Sequence, residues 1–352
     1  MFRFILHICK GDGGGLGIVP SIYGEKLKVE KGEGSNQTFI MELTLQGFGN
    51  APDLQAFLSL MFLMIYIVTI TGNILIVVLV VIDNHLHTPM YFFLGNLSCL
   101  ETCYTSTILP RMLAAFLTGD RTISVRGCIT QMYFFGCLAT TECYLLAVMS
   151  YDRYLAICKP LLYAALMNSR GCIHLTAGSW IGGLISSLII TYFTSQLTFC
   201  GPNEIDHFFC DLTPILQLSC SDTRLVMFVS FVVSSLAAVF PFTLTVASYI
   251  CIIVAILRIP SSTGRQKAFS TCSSHLIVVT VFYSTLLIVY MIPNTNTLRD
   301  LNKVFSVFYT VLTPLVNPLI YSLRNKEVQV ALARTIGRFI NSTKNSRLIK
   351  GG

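Results

Sequence analysis

The chain has 352 residues, 53% hydrophobic and 12% charged, with a mean hydropathy of +0.68. A soluble domain carries about 25% charged residues, so an ordinary soluble fold is excluded and membrane spans must be counted before domains. The net charge of +7 comes without dense basic runs interleaved with aromatics, which argues against a nucleic-acid partner and leaves the lipid bilayer to account for the charge.

Residues 1–35 open with "MFRFILHIC", short for a signal peptide and followed by no clear cleavage site. The following "GDGGGLG" fits neither a P-loop nor GxGxxG. This stretch reads as a flexible outer extension. Asn36-Gln37-Thr38 is a glycosylation sequon ahead of the first span. Asn96-Leu97-Ser98 falls inside a span, and Asn341-Ser342-Thr343 falls on the predicted cytoplasmic side, so neither is expected to be used.

Seven apolar runs are long enough to cross a bilayer as helices: 54–82, 90–109, 128–151, 172–193, 226–257, 269–292 and 304–323. The predicted fold class is therefore an all-α membrane protein, a seven-transmembrane helix bundle. With the N-terminus outside, the cytoplasmic side holds thirteen basic residues against Asp83, Asp152 and Glu327, while the outer side holds eleven basic and twelve acidic residues. Basic residues favour the cytoplasm, so the expected topology is N-out, C-in. Residues 1–53 are then an extracellular segment, 54–323 the seven-span domain and 324–352 a cytoplasmic tail. In that tail Val328, Ala331, Leu332, Thr335, Ile336, Phe339 and Ile340 share one helical face, which predicts a short amphipathic helix on the inner membrane surface. No Cys follows Cys272, so palmitoylation cannot anchor the tail.

Charges inside the spans carry the chemistry. A charge at mid-bilayer costs roughly 2.5–3.5 kcal/mol on insertion scales, and Glu101 and Glu142 each stand near the middle of a run. Each is either a protonated carboxyl bonded to a neighbour or part of a hydrated cluster that holds a cation. Asn73 and Asn317, at similar depth, are the expected partners. Arg153 lies about 25 residues into the third span, near 37 Å at 1.5 Å per residue, and so at the inner rim. It either snorkels to the headgroups paired with Asp152 or presents a charge to a cytoplasmic partner. Pro241 and Pro318 should bend spans five and seven, and "NPLIY" places Asn317 and Tyr321 beside the second bend.

Of thirteen Cys, several lie in apolar runs as small buried hydrophobes. Cys128, Cys200, Cys210 and Cys220 sit in polar connections on the predicted oxidising side, where three pairings are open. No CxxC pair points to zinc, and no metal is expected beyond a sodium ion at Glu101 and Glu142. No Ser/His/Asp order, HExxH or Gly-rich phosphate loop marks an enzyme, and no cofactor is expected. A transporter using the two Glu as a proton path is the alternative class, but no repeated halves are visible.

Gly72-Asn73, Asp152-Arg153-Tyr154, Trp180 and "NPLIY" resemble the rhodopsin-like G-protein-coupled receptors. "HTPMYFFLGNLSCLE", "MSYDRYLAICKPLLY", "FCGPNEIDHFFCDLTPILQLSCSDT", "SYICIIVAILRIPSSTGRQKAFSTCSSHL" and "PLVNPLIYSLRNKEV" are similar to the signatures of the odorant (olfactory) receptor branch, over roughly residues 36–340. Ser150 and Leu162 depart from the usual Ala and His, Glu101 stands where Asp is commoner, and the extension at 1–35 is atypical.

The resemblance implies disulfides Cys128–Cys210 and Cys200–Cys220, a small-molecule odorant as ligand, and a heterotrimeric stimulatory (olfactory-type) G protein raising cAMP at the plasma membrane. Asp152, Arg153, Tyr154, Tyr249, Asn317, Pro318 and Tyr321 would form the coupling switch. Span six offers Arg265-Gln266-Lys267 where many such receptors place a restraining acid, which leaves Asp152 as the local partner of Arg153. Helical faces together with the resemblance assign the ligand site to Phe135, Gly136, Ala139, Thr140, Val233, Ala237, Tyr283, Leu286, Leu287, Tyr290 and Thr310. That set is apolar with a few hydroxyls, as a small, weakly polar ligand requires. "QMYFFG", 131–136, lacks the acid that an amine receptor needs, and span seven lacks the Lys of a retinal protein.

Overall fold

The charge-free run Leu54–Ile82 lies within one uninterrupted helix, Pro52–Ile82, because backbone groups in lipid must bond within their own segment. The structure is a computed structural model that describes residues 41–48, 52–200, 202–291 and 299–337. Asn36 and the extension before it lie outside the described residues. Six further passes follow: Pro89–Thr118, Val125–Cys158, Ser169–Ser195, Arg224–Leu257, Ser262–Met291, and a composite seventh from Arg299 to Arg324. Each contains its predicted apolar core and extends beyond it, apart from Ile292 at the edge of span six, which is outside the described residues.

The overshoot has local causes. Pro89 stands at the start of span two, where its missing N–H is harmless, and Gly119 ends that helix in the left-handed region at φ 75°. Ser124 Oγ accepts from Gly127 N (3.1 Å) to cap span three, and Asn168 Oδ1 accepts from Gly171 N (2.8 Å) to cap span four. Spans one, three, four, five and seven contain windows apolar enough to cross a membrane by length and composition. Span two falls short of that measure because Glu101 and Arg111 dilute it, and among the described residues span six contributes the shorter apolar stretch His275–Leu286.

Span three is the central post: 61% of its apolar window is buried, against 22% in spans one, four and five. Spans one, four and five turn Phe57, Leu60, Ile185, Leu188, Phe228 and Phe240 outward, as a lipid-facing surface requires. The bundle has two ends. At one, which carries the disulfides, three short strands form a sheet in the order β2-β1-β3, with β1 Glu42–Leu45, β2 Thr122–Ser124 and β3 Glu204–Ile205. β1 runs antiparallel to β2, with Leu43 opposite Ile123, and parallel to β3, with Leu45 opposite Ile205.

At the other end, residues 326–337 form a tail helix. Its predicted apolar face is divided: Val328 and Ala331 are buried in the bundle core with Leu86, Met90 and Tyr91, and Leu332 packs against them, whereas Ile336 stays exposed. Phe339 and Ile340 lie outside the described residues. Two side-chain clasps hold this helix. Tyr91 Oη donates to Glu327 (2.8 Å) and to Asn325 (3.1 Å), and Arg334 pairs at 3.0 Å with Asp83, a buried acid whose side chain also accepts from His85 N.

Candidate functional site

Polar and aromatic side chains gather at three depths. At the disulfide end, Cys128 at the top of span three is joined to Cys210 in the connection between spans four and five, and Cys200 to Cys220 within that connection. The first bond holds the segment His207-Phe208-Phe209-Cys210 over the bundle. Gln131 reinforces it: its carbonyl accepts from Cys210 N (3.0 Å), and its amide donates to Thr107 O of span two (3.0 Å).

Beneath this segment, Phe135 is buried among Tyr104, Phe209 and Tyr309, with ring centroids 5.3, 4.9 and 6.0 Å away. Ala139 packs against the same cluster. Of the other residues assigned to the ligand site, Ala237 is buried and Thr140 and Val233 are half-buried. Tyr283 and Leu286 belong to the neighbouring core, where Tyr283 meets Phe242 at 4.8 Å.

Gly136 stands apart from Phe135. A Cβ there would lie 3.0 Å from Ser187 Oγ, so Gly136 faces the seam with span four. The Thr310 hydroxyl donates to Ser306 O (2.7 Å) and is occupied within its own helix. The side chains of Leu287, Tyr290 and Tyr321 lie outside the described residues. Sequence reasoning missed Tyr104, Phe208, Phe209 and Tyr309. The run "HFF" beside Cys210 was the available signal, since three consecutive rings in a polar connection need something to cover.

Charge at this end is held tightly. Lys303 of span seven pairs with Asp206, and His207 Nε2 lies 3.3 Å from Ser306 Oγ. Burial, aided by the nearby Lys303 charge and opposed by Asp206, pushes His207 down to about 4. Burial raises the Asp211 carboxyl above its usual range, against its bond from Leu212 N (2.8 Å).

At mid-depth, Asn317 donates to Glu101, which lies within electrostatic reach of Glu142. Asn73 donates to Thr69 O (3.1 Å) and Pro314 O (3.2 Å), tying span one to span seven. The two helices meet closely here: a Cβ on Gly72 would stand 3.2 Å from Pro318. Among the described residues, Glu142 Oε1, Asn73 Oδ1 and Asn317 Oδ1 are buried acceptors without a hydrogen-bond partner. Oxygen donors with two carboxyls among them are the set a hard monovalent cation takes, so these four residues fit one. Among the described residues no group of three or more His, Cys, Asp or Glu could hold a metal ion; this set contributes two carboxyls and two amides.

At the tail end, the buried Arg153 donates from Nε to Asp152 Oδ2 (2.9 Å) and pairs with the same oxygen through Nη2. Tyr163, on the short helix Pro160–Leu166, donates to Asp152 Oδ1 (3.1 Å). Tyr154 is half-buried and stacks near Tyr151, centroids 6.3 Å apart. Tyr249 of span five meets His275 of span six, Oη to Nδ1 at 2.5 Å. His275 was missed in the sequence, although an imidazole inside an apolar run carries the same cost that drew attention to the two Glu.

Residues 62–338 match the protein family described as Olfactory receptor. The chain is 48% identical over 303 residues to Olfactory receptor 5G9 of Mus musculus, covering 86% of this chain and 96% of that one. It is 50% identical over 297 residues to Olfactory receptor 6P1 of Homo sapiens, covering 84% and 94%. Among solved structures it resembles squid rhodopsin with a TM-score of 0.66 at 14% identity over 81% of each chain, a likeness of fold.

Proposed function

The chain belongs to the olfactory receptor family, and we propose that it reports odorants from the plasma membrane through a stimulatory, olfactory-type G protein that raises cAMP. It is a multi-pass membrane receptor of the G-protein-coupled kind, not an enzyme, with a small-molecule ligand and a G protein as its partners. The finer reading sets the disulfide end outside and the tail end in the cytoplasm, as the basic residues and the sequon favour.

The ligand site is then the outer half of the bundle. Phe135 and Ala139 form its wall with Tyr104, Phe209 and Tyr309, and Thr140, Val233, Ala237, Tyr283, Leu286, Leu287, Tyr290 and Thr310 continue it inward. An apolar, aromatic wall with a few hydroxyls suits an uncharged volatile. Glu101, Glu142, Asn73 and Asn317 would hold a sodium ion, which would supply one positive charge between the two carboxyls.

The observation that carries the coupling is the buried Arg153, closed by Asp152 and Tyr163 at the inner rim. Holding this guanidinium out of water carries a desolvation cost that its pairing with Asp152 offsets. Ligand that favours parted helices would release this guanidinium to the G protein by shifting a two-state equilibrium. The test is cAMP in cells displaying the receptor, across a panel of volatile alcohols, aldehydes, ketones and esters, with Arg153→Ala beside it. Responses lost in the variant at equal surface level support the reading. Silence of the parent chain at verified surface level counts against it.

A further inference from the structure

The N-terminal strand does more than lead into span one. Its side chains alternate: Leu43 and Leu45 are buried in a cluster with Cys128, Met132, Cys210 and Ile215, while Glu42 and Gln46 face away. The backbone is bonded on both sides. Leu45 N donates to Arg121 O (3.0 Å), Gln46 N to Ile205 O (2.9 Å) and Gly47 N to His207 O (3.2 Å). Arg121 donates to Gln46 O (2.7 Å), and the Gln46 amide to Glu204 (2.6 Å). Four residues of strand would not fold alone. These span the connection between spans two and three and the one between spans four and five, so β1 staples both.

Gly47 then turns the chain in the left-handed region, φ 62°, a conformation that glycine adopts without a Cβ penalty. The turn lowers Phe48 onto Phe208, centroids 5.2 Å apart and rings 20° from parallel, and against Phe62 at 6.0 Å. Phe208 meets Phe209 at 5.0 Å, and Phe209 meets Phe135 at 4.9 Å. Rings therefore run in contact from the N-terminal segment to the wall of the ligand site. The segment carrying Phe208 and Phe209 is tethered at both ends, by His207 to Ser306 and by Cys210 to Cys128 and Gln131. Between those tethers Phe208 is stacked against His207 at 4.7 Å and Phe48 at 5.2 Å.

We propose that Phe48, set by the Gly47 turn, is a positioning residue of the odorant site: it seats Phe208 and Phe209 over the wall and so governs both ligand access and the shape the ligand meets. This rests on the outer half of the bundle being the ligand site, as read above. Phe48 touches no ligand in this scheme; it acts through two rings. Removing it leaves the disulfides and the sheet in place and frees the rings to swing.

The test has a readout that needs no known agonist. Ala139→Cys places a thiol on the wall. Its rate of modification by a membrane-impermeant methanethiosulfonate, added outside intact cells, is compared with and without Phe48→Ala, with the parent chain as background for native thiols. Labelling per surface receptor should rise several-fold in Phe48→Ala, return with Phe48→Tyr, and rise again in Gly47→Ala, which keeps the ring but misplaces it. Agonists from the volatile panel should lose about tenfold in potency in Phe48→Ala at unchanged maximal response. Unchanged labelling, or unchanged potency where an agonist exists, overturns the proposal. Should Phe48→Ala fail to reach the surface, Gly47→Ala makes the same comparison. Panel silence of the parent chain counts against the odorant reading, while labelling still decides the role of Phe48.

Discussion

Tyr249 and His275 hold spans five and six together by one hydrogen bond of 2.5 Å between Oη and Nδ1, at the depth of Arg153. Both groups are buried. Removing one partner strands the other, which costs about 1–3 kcal/mol, whereas removing both leaves no orphan. Tyr249→Phe and His275→Leu should therefore each lower the Tm of the detergent-solubilised receptor, and the double variant should recover most of the loss. Additive losses in the double variant would show that the bond does not couple the two helices.

The seam between spans three and four depends on one missing methyl. A Cβ on Gly183 would lie 2.1 Å from Thr141 Oγ1 and 2.6 Å from Cys137 O. The carbonyl belongs to a continuous helix and cannot yield, so Gly183→Ala should sit at or above the upper end of the roughly 1–3 kcal/mol that overpacking costs. Surface expression should fall several-fold. Gly178, five residues earlier on the same helix, has nothing within 4 Å. Gly178→Ala should be neutral or gain up to about 1 kcal/mol from helix propensity. Equal expression of the two variants would refute this account of the seam.

Hydropathy located all seven spans, because a bilayer demands long apolar runs, and the cost of intramembrane charge drew attention to Glu101 and Glu142. Partners were harder. Helical period groups Phe135 with Gly136 on one face, but not how that face is rotated against its neighbours. The structure turns Phe135 to the aromatic cluster and Gly136 to Ser187. Strand β1 left little signal because four residues acquire their pairing from two distant connections. Asp83 and Arg334 are 251 positions apart in sequence, so their pairing is a property of the tertiary fold.

Acid should loosen the disulfide end through His207. Its folded value of about 4 lies below the ordinary 6.5, so the unfolded chain binds the proton first as pH falls. The stabilisation from keeping this imidazole neutral is present above pH 6.5 and is lost progressively down to about 4. Its full size is on the order of 3 kcal/mol at about 1.4 kcal/mol per pH unit. Asp211 runs the other way: its raised value favours the folded state as pH drops through it. The comparison must therefore be between variants. Parent receptor should lose more Tm between pH 7 and pH 5 than His207→Gln. Identical pH slopes would place His207 outside the acid response.

The mid-depth cluster should make agonist potency depend on sodium. A cation seated among Glu101, Glu142, Asn73 and Asn317 would join spans one, two, three and seven in the arrangement where Arg153 is closed. Cation and agonist then favour opposite states, and linkage makes the antagonism reciprocal. Coupling of this kind is typically 1–3 kcal/mol, so at its lower end agonist potency should rise about fivefold when sodium is replaced by a large organic cation. Glu142→Gln removes one charge but keeps the shape, and Glu142 Oε1 has no hydrogen-bond partner to lose among the described residues. That variant should be insensitive to the exchange while still responding to agonist. Because Asn317 donates to Glu101 and a Gln carbonyl accepts equally, Glu101→Gln should fold as well and lose the sodium effect too. If both variants keep the full shift, the carboxyls are held as neutral acids, bonded to their neighbours, and the sodium effect arises elsewhere.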